Sequence, residues 1–174
     1  TGSLNSNVAR RATRYSLNEA GVPVSVIAVG KKGRDFMVRY GRDVVAEFTA
    51  LGDYPTLDQI TPITQVAVDD FIAGRVDAVQ LIYTRYINTL TQRPELVKIL
   101  PIEPPEEQQG SKSGEYLFEP SPEAVLQQIL PRFVEVSVYQ AILESIAGYY
   151  SAQMVAMRNA TDNAKAVVSA LRLA

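Results

Sequence analysis

From Arg132 to Ala174 the chain contains no proline, and Gly148 is the only glycine. If helical throughout, this stretch is roughly 60 Å long, whereas helices of globular proteins typically run about 8–20 residues. A helix of this length needs something to pack on along its whole course. Its apolar seam can be followed through Tyr139, Leu143, Ile146, Tyr150, Met154, Met157, Thr161, Ala164, Val168 and Leu171, in steps of three and four residues. That is a heptad pattern with one stutter between Tyr150 and Met154, and Thr161 is its only polar member. The pattern alone fits either a core helix wrapped by its own domain or one strand of a coiled coil. The length favours an intertwined partner helix. No other segment of the chain is comparably long, so the partner is expected outside it.

Upstream, strand-like and helix-like segments mix. Thr1–Asn7 reads as a polar loop, and Val8–Ala20 as a helix closed by Gly21. Val22–Val29 is an apolar run expected to be a strand buried on both faces. Gly30–Gly33 reads as a turn and Asp35–Tyr40 as a second strand, together a candidate hairpin. Val44–Leu51 fits strand or helix equally. Thr61-Pro62 reads as a helix start, with Ile63, Val66, Ala67 and Phe71 as the buried stripe and Gly74 as the stop. Ala78–Asn88 and Leu96–Ile102 read as strands. Glu103–Gly114 reads as an acidic polar loop, and Glu115–Phe118 as one more short strand. Ser121-Pro122-Glu123 has the signature of a helix start, and Pro131 either interrupts that helix or begins another. The expected division is an α/β domain over 1–130 and a long helix over 131–174.

Composition narrows the chemistry. The chain has 174 residues, 47% hydrophobic and 21% charged, with a net charge of −2. This is the profile of a globular domain with an appendage. A net charge of −2 provides no basic excess for generic nucleic-acid binding. With no Cys and no His, there can be no disulfide, thiolate metal site, Cys nucleophile or Ser-His-Asp triad. No run of 18 apolar residues is present to span a membrane, and the start has no apolar signal-like core. The absent initiator Met suggests a fragment or a processed chain.

The candidate motifs are weak. Gly30-Lys31-Lys32-Gly33-Arg34 lacks the spaced glycine and Ser/Thr of a phosphate loop, as does Gln109–Ser113. Gly2–Asn7 leads into a helix start but lacks dinucleotide-binding glycine spacing. Asp69 and Asp70 diverge by about 100° on a helix and do not converge on one ion. Asn159-Ala160-Thr161 is a glycosylation sequon inside a helix, taken as coincidence. Arg10, Arg11 and Arg14 read as a solvated or interface face rather than a phosphate patch. From the residues alone, this is an α/β domain with a protruding helix, built for interaction more than for catalysis.

Glu144 to Ala164, ESIAGYYSAQMVAMRNATDNA, resembles the signature of the ATP synthase gamma subunit family, the central rotor stalk. The matching elements are Glu144, Ser145, Ala147, Met154, Ala156, Met157, Ala160, Thr161, Asp162, Asn163 and Ala164. GSLNSN at the start, Asp77–Ile102 and the run from Phe118 into the signature are similar to the family as well. The resemblance implies a Rossmann-like α/β domain with helices flanking a mainly parallel sheet. It also implies that the long C-terminal helix is one half of an antiparallel coiled coil. The implied role is to pass rotation between a membrane c-ring and a catalytic head of alpha and beta subunits, with an epsilon subunit bound outside the head. No catalytic residue, cofactor or metal is implied, and the implied location is peripheral, on the cytoplasmic face of the bacterial plasma membrane. The interface residues implied are Leu143, Ile146, Tyr150, Met154, Met157, Thr161, Ala164, Val168 and Leu171. The chain then corresponds to the family's central domain plus part of its C-terminal helix. Tyr149 and Tyr150 stand where acidic, His or other polar residues are common, and Gln153 where Arg is usual. The competing reading is a stand-alone Rossmann-like nucleotide-binding or enzyme domain.

Overall fold

A computed structural model of the chain describes residues 2–103 and 122–174. The expected loop from 104 to 114, the strand at Glu115–Phe118 and the Ser121 cap lie outside the described residues. The chain divides into two compact units. The first comprises Thr1–Asp53, Ile82–Glu95 and Ala141–Ala174; the second comprises Tyr54–Leu81 and Leu96–Gln140.

The first unit opens with helix α1, Leu4–Arg14, continued by a π-helical turn over Tyr15–Glu19. The helix begins four residues before the expected start, so most of the supposed loop is its first turn. Arg11 and Arg14 both reach Glu19, at 2.9 and 3.3 Å, across the π turn. Strand β1, Ser25–Val29, follows; then come helix α2, Lys31–Arg39, and strand β2, Asp43–Phe48. β1 and β2 pair in parallel, from Ser25↔Asp43 to Val29↔Phe48, with an irregularity that skips Val45.

The expected hairpin is therefore absent. Parallel strands cannot be joined by a tight turn and need a crossover, which here is α2. Asp35–Arg39 forms part of that helix rather than a strand, with Tyr40 as its C-cap. Phe36 and Tyr40, spaced one turn apart, bring their ring centroids to 4.5 Å, while Met37 is buried with Ala9 and Ala28. Gly30 stands between β1 and α2 with φ of 104°, a conformation only glycine adopts without strain. β1 is not buried on both faces: Ala28 is buried, but Val29 is exposed. The undecided segment 44–51 is largely strand.

Strands β3, Val79–Asn88, and β4, Thr91–Leu100, form a two-stranded sheet joined by a two-residue loop. β4 starts five residues before the expected strand. Asn88 makes the tight turn possible: its Oδ1 accepts from the backbone N–H of Leu90 and Thr91, at 3.0 and 2.9 Å. This side-chain mimic of a backbone turn is a habit of Asn.

In the second unit helix α3 runs Leu57–Ile72, starting at Thr56 instead of Thr61. Gln59 Oε1 accepts from the Thr56 N–H at 2.9 Å, supplying a partner for an amide at the helix start. Pro62 lies inside the helix instead of opening it. The buried stripe is Ile60, Ile63, Thr64 and Val68, rotated from the expected one so that only Ile63 is common to both. These residues share the second unit's core with Ile99, Leu100, Val134 and Val138. Thr61 Oγ1 donates to Glu135 Oε1 at 3.3 Å, and the Tyr139 hydroxyl donates to the Pro55 carbonyl at 3.2 Å. Gly74, at φ of 73°, closes α3 as expected, with Arg75 N–H bonded back to Asp70 O.

The last element is helix α4, Pro122–Leu173, 52 residues without a break. Pro131 sits within it and neither interrupts it nor starts a new helix. Among the described residues the architecture is thus mixed α/β, with a parallel β-α-β crossover, an antiparallel strand pair and a long C-terminal helix.

Candidate interaction surface on the long helix

At 1.5 Å per residue α4 is about 78 Å long. Burial along it falls toward the C-terminus. In the second unit, Val134 is fully buried and Val138 nearly so. In the first unit, Ala141 and Gly148 are buried, and Ile142, Glu144, Ser145 and Ile146 are half-buried. From Ala156 to Ala174 every residue is exposed.

One turn of α4 is fastened to β3. Glu144 Oε1 accepts from the Tyr86 N–H at 2.9 Å, and Ser145 Oγ accepts from the Thr84 N–H at 3.3 Å. Thr84 and Tyr86 alternate along the strand, so both amides lie on one edge of it. One turn further on, a side chain at Gly148 would come within 3.3 Å of Gln92 Cγ and 3.4 Å of Thr84 Cγ2. Glycine here lets the helix backbone approach the hairpin closely. Arg85 and Glu95 bridge the two strands at 2.9 Å. Burial pushes the Tyr83 phenol above its usual pKa, and the carboxylates of Glu144 and Glu95 add to the shift. The Glu95 hydrogen bond raises the Arg85 guanidinium further.

The seam residues read from the sequence do not share one environment. Leu143 is 41% exposed and Ile146 half-buried, while Met154, Met157, Val168 and Leu171 are exposed at 60, 56, 48 and 71%. Tyr150 packs edge-on against Tyr149 at 5.6 Å. Thr161 turns its hydroxyl onto the Met157 carbonyl at 3.0 Å, which satisfies that group within its own helix. Ala164 is exposed, and Val167 beside the strip is 59% exposed. Gln153, on the adjoining face, is half-buried. Single exposed apolar residues are ordinary, but a repeated row of Met, Val and Leu along one helix makes this face a candidate interaction surface.

Gly30–Arg34 does link a strand to a helix, contrary to the expected hairpin, and Lys32 borders an open cavity of about 320 Å³ with Gly2, Asn5, Ser6, Ala9 and Phe36. The Ser/Thr and spaced glycine of a phosphate loop are still missing there. Asp69 and Asp70 diverge as expected, toward Gln65 and Arg75 respectively.

A family model described as ATP synthase matches residues 1–174. The chain belongs to the ATP synthase family. Among its curated relatives, the ATP synthase gamma chain of Roseiflexus castenholzii is 54% identical over 166 residues, covering 94% of this chain and 57% of that protein. The gamma chain of Herpetosiphon aurantiacus is 48% identical over 179 residues, covering 99% of this chain and 60% of that protein. The chain thus spans somewhat over half the length of the gamma chains it matches. Among solved structures, the central stalk and c-ring of Tetrahymena thermophila mitochondrial ATP synthase align with a TM-score of 0.69 at 23% identity, covering 92% of this chain and 70% of that one. The rotor of Euglena gracilis mitochondrial ATP synthase aligns at 0.64 and 18% identity, covering 95% of this chain and 64% of that one. At those identities the structures show a shared fold.

Glu144, Ser145 and Gly148 are the α4 residues that the structure explains best. The sequence marks Glu144 and Ser145 only as part of the resemblance. What their roles require, an exposed strand edge beside the helix, becomes visible only once β3 is in place. The signal available beforehand was the short Gly148, the one glycine in the long helical run.

Proposed function

We propose that this chain is the central-stalk part of an ATP synthase gamma subunit, a rotor element that passes rotation between a membrane c-ring and a catalytic head of alpha and beta subunits. On this reading it contributes no catalytic residue, binds no cofactor or metal, and contacts an epsilon subunit outside the head. It acts at the cytoplasmic face of a bacterial plasma membrane as a peripheral component; no helix among the described residues is long and apolar enough to cross a membrane. The domain division proposed is 1–130 for the part outside the head and 131–174 for the rotor helix.

The observation that carries the reading is the C-terminal part of α4, whose exposed face is lined by Met154, Met157, Val168 and Leu171. A solvated helix has no need of that row, and an antiparallel partner helix does. The seam proposed is Leu143, Ile146, Tyr150, Met154, Met157, Thr161, Ala164, Val168 and Leu171. The gamma-chain relatives and the rotor-like structural neighbours favour it over a stand-alone nucleotide-binding or enzyme domain.

The test uses the full-length parent protein and purified alpha and beta subunits. The parent should co-purify with the head, and Met154→Glu/Val168→Glu should weaken that assembly strongly while Asp162→Asn leaves it unchanged. Equal assembly by all three proteins would sink the seam. No assembly by the unaltered parent would sink the rotor reading itself.

A further inference from the structure

We infer that Glu144 and Ser145 are positioning residues that lock the exposed arm of α4 onto the β3–β4 hairpin, so that rotation of the arm is delivered to the hairpin without slip. The inference rests on the rotor reading above and adds to it the place where the arm is held.

The geometry has three parts. Consecutive side chains of one helical turn, Glu144 and Ser145, accept from the alternate amides Tyr86 and Thr84 at 2.9 and 3.3 Å. Two bonds at staggered points along both elements fix translation and rotation together, where a single bond would leave a pivot. Gly148 then brings the helix backbone against Thr84, which is 6% exposed, and Gln92. Gln92 is itself tied into the hairpin end, donating through Nε2 to the carbonyls of Asn88 and Thr89 at 3.0 Å each. The helix turn and the hairpin end therefore form one braced block.

The position of this block matters as much as its bonds. It lies at the root of the stretch in which burial is lost: Gly148 is buried, and Ala156 begins the fully exposed arm. The arm from Ala156 to Leu173 is about 27 Å long. A load applied along it reaches the hairpin through the last anchored turn. Apolar contacts resist separation but are non-directional and let surfaces slide. Directed hydrogen bonds from a carboxylate and a hydroxyl to fixed backbone amides resist sliding. The same two side chains also close an edge of β3 that would otherwise present free amides to another strand.

The experiment uses the full-length parent protein assembled into ATP synthase in membrane vesicles, with ATP hydrolysis and ATP-driven proton uptake measured on the same preparation. Glu144→Gln keeps an acceptor oxygen and should pump at the unaltered ratio of uptake to hydrolysis. Glu144→Ala/Ser145→Ala should still assemble and hydrolyse, with that ratio falling about twofold or more. Its Thr84 and Tyr86 amides should exchange about tenfold faster or more, whereas the Glu144→Gln protein should keep their protection. An unchanged ratio in the double variant overturns the proposal, and so does a Glu144→Gln protein as impaired as the double variant. Failure of the double variant to assemble also overturns it, in favour of a purely folding role. If the unaltered parent does not assemble with the head at all, the rotor reading has failed; the amide exchange still tests the lock in that case, and unchanged exchange refutes it.

Discussion

Placing an alanine at Gly148 sets two opposing effects against each other. Mid-helix glycine is less favourable than alanine by about 1 kcal/mol, so the substitution gains from helix propensity. The new Cβ would sit 3.3 Å from Gln92 Cγ and 3.4 Å from Thr84 Cγ2, closer than a relaxed contact. Gln92 has to give by a few tenths of an ångström. It is not free to do so, because its amide holds two hairpin carbonyls at 3.0 Å. Weakening those two bonds costs a share of about 0.5–1.5 kcal/mol each. The expected net change for Gly148→Ala is therefore within about 1 kcal/mol of zero. Gly148→Val adds two more carbons to the same space and should destabilise by about 1–3 kcal/mol. Urea unfolding followed by circular dichroism reads these differences as midpoint shifts at constant slope. A double-mutant cycle isolates the contact: in a Gln92→Ala background, Gly148→Ala should be more favourable by about 0.5–1 kcal/mol than in the unaltered protein. If the two changes add to within about 0.3 kcal/mol and valine costs nothing, the helix and hairpin do not approach as described.

Ile60→Ala, at a site with no exposure, should cost about 2–5 kcal/mol, whereas Leu171→Ala on the exposed arm should stay within about 0.5 kcal/mol in the chain without partners, both by chemical denaturation. Gln59→Ala removes the acceptor for the Thr56 amide and should cost about 1 kcal/mol on the same assay. The Tyr83 phenol holds its proton more tightly folded than unfolded, so its contribution to stability is complete below about pH 10 and is lost as pH rises through the raised folded value. Tyr83→Phe should flatten the fall in unfolding midpoint above about pH 10, and an unchanged pH profile would refute the assignment.

The parts of this molecule that were legible in the sequence are those whose signal is long. The absence of proline after Pro131 and the three-and-four spacing of the apolar residues suffice for a long helix. Gly21 and Gly74 mark real chain reversals because positive φ is a local requirement that a single residue meets. The misread parts are those in which partner choice overrides local pattern. Asp35–Tyr40 carries alternating apolar residues over too short a span to separate a period of two from one of 3.6, and what decides is that β1 pairs in parallel with β2. Pro62 and Pro131 each look like a helix boundary, yet both sit inside helices. Each removes only one backbone donor, and burial of Ile60 and Ile63 on either side of Pro62, and of Val134 one turn after Pro131, offsets the propensity cost of about 3 kcal/mol.

Glu144 shows the limit most clearly. On a helical wheel it is one more carboxylate beside an apolar seam, and nothing in its spacing distinguishes it from a solvated residue. Its role depends on β3 presenting the Tyr86 and Thr84 amides toward the helix. That in turn depends on the two-residue turn made by Asn88, which sets which edge of β3 pairs with β4 and which is left open. A signature motif on the helix is thus explained by a turn residue more than fifty positions earlier. Replacing Asn88 with Ala should loosen the amides of Leu90 and Thr91 first and those of Thr84 and Tyr86 only in so far as the hairpin register shifts. Hydrogen exchange that loosens Thr84 and Tyr86 while leaving Leu90 and Thr91 protected would break this chain of dependence.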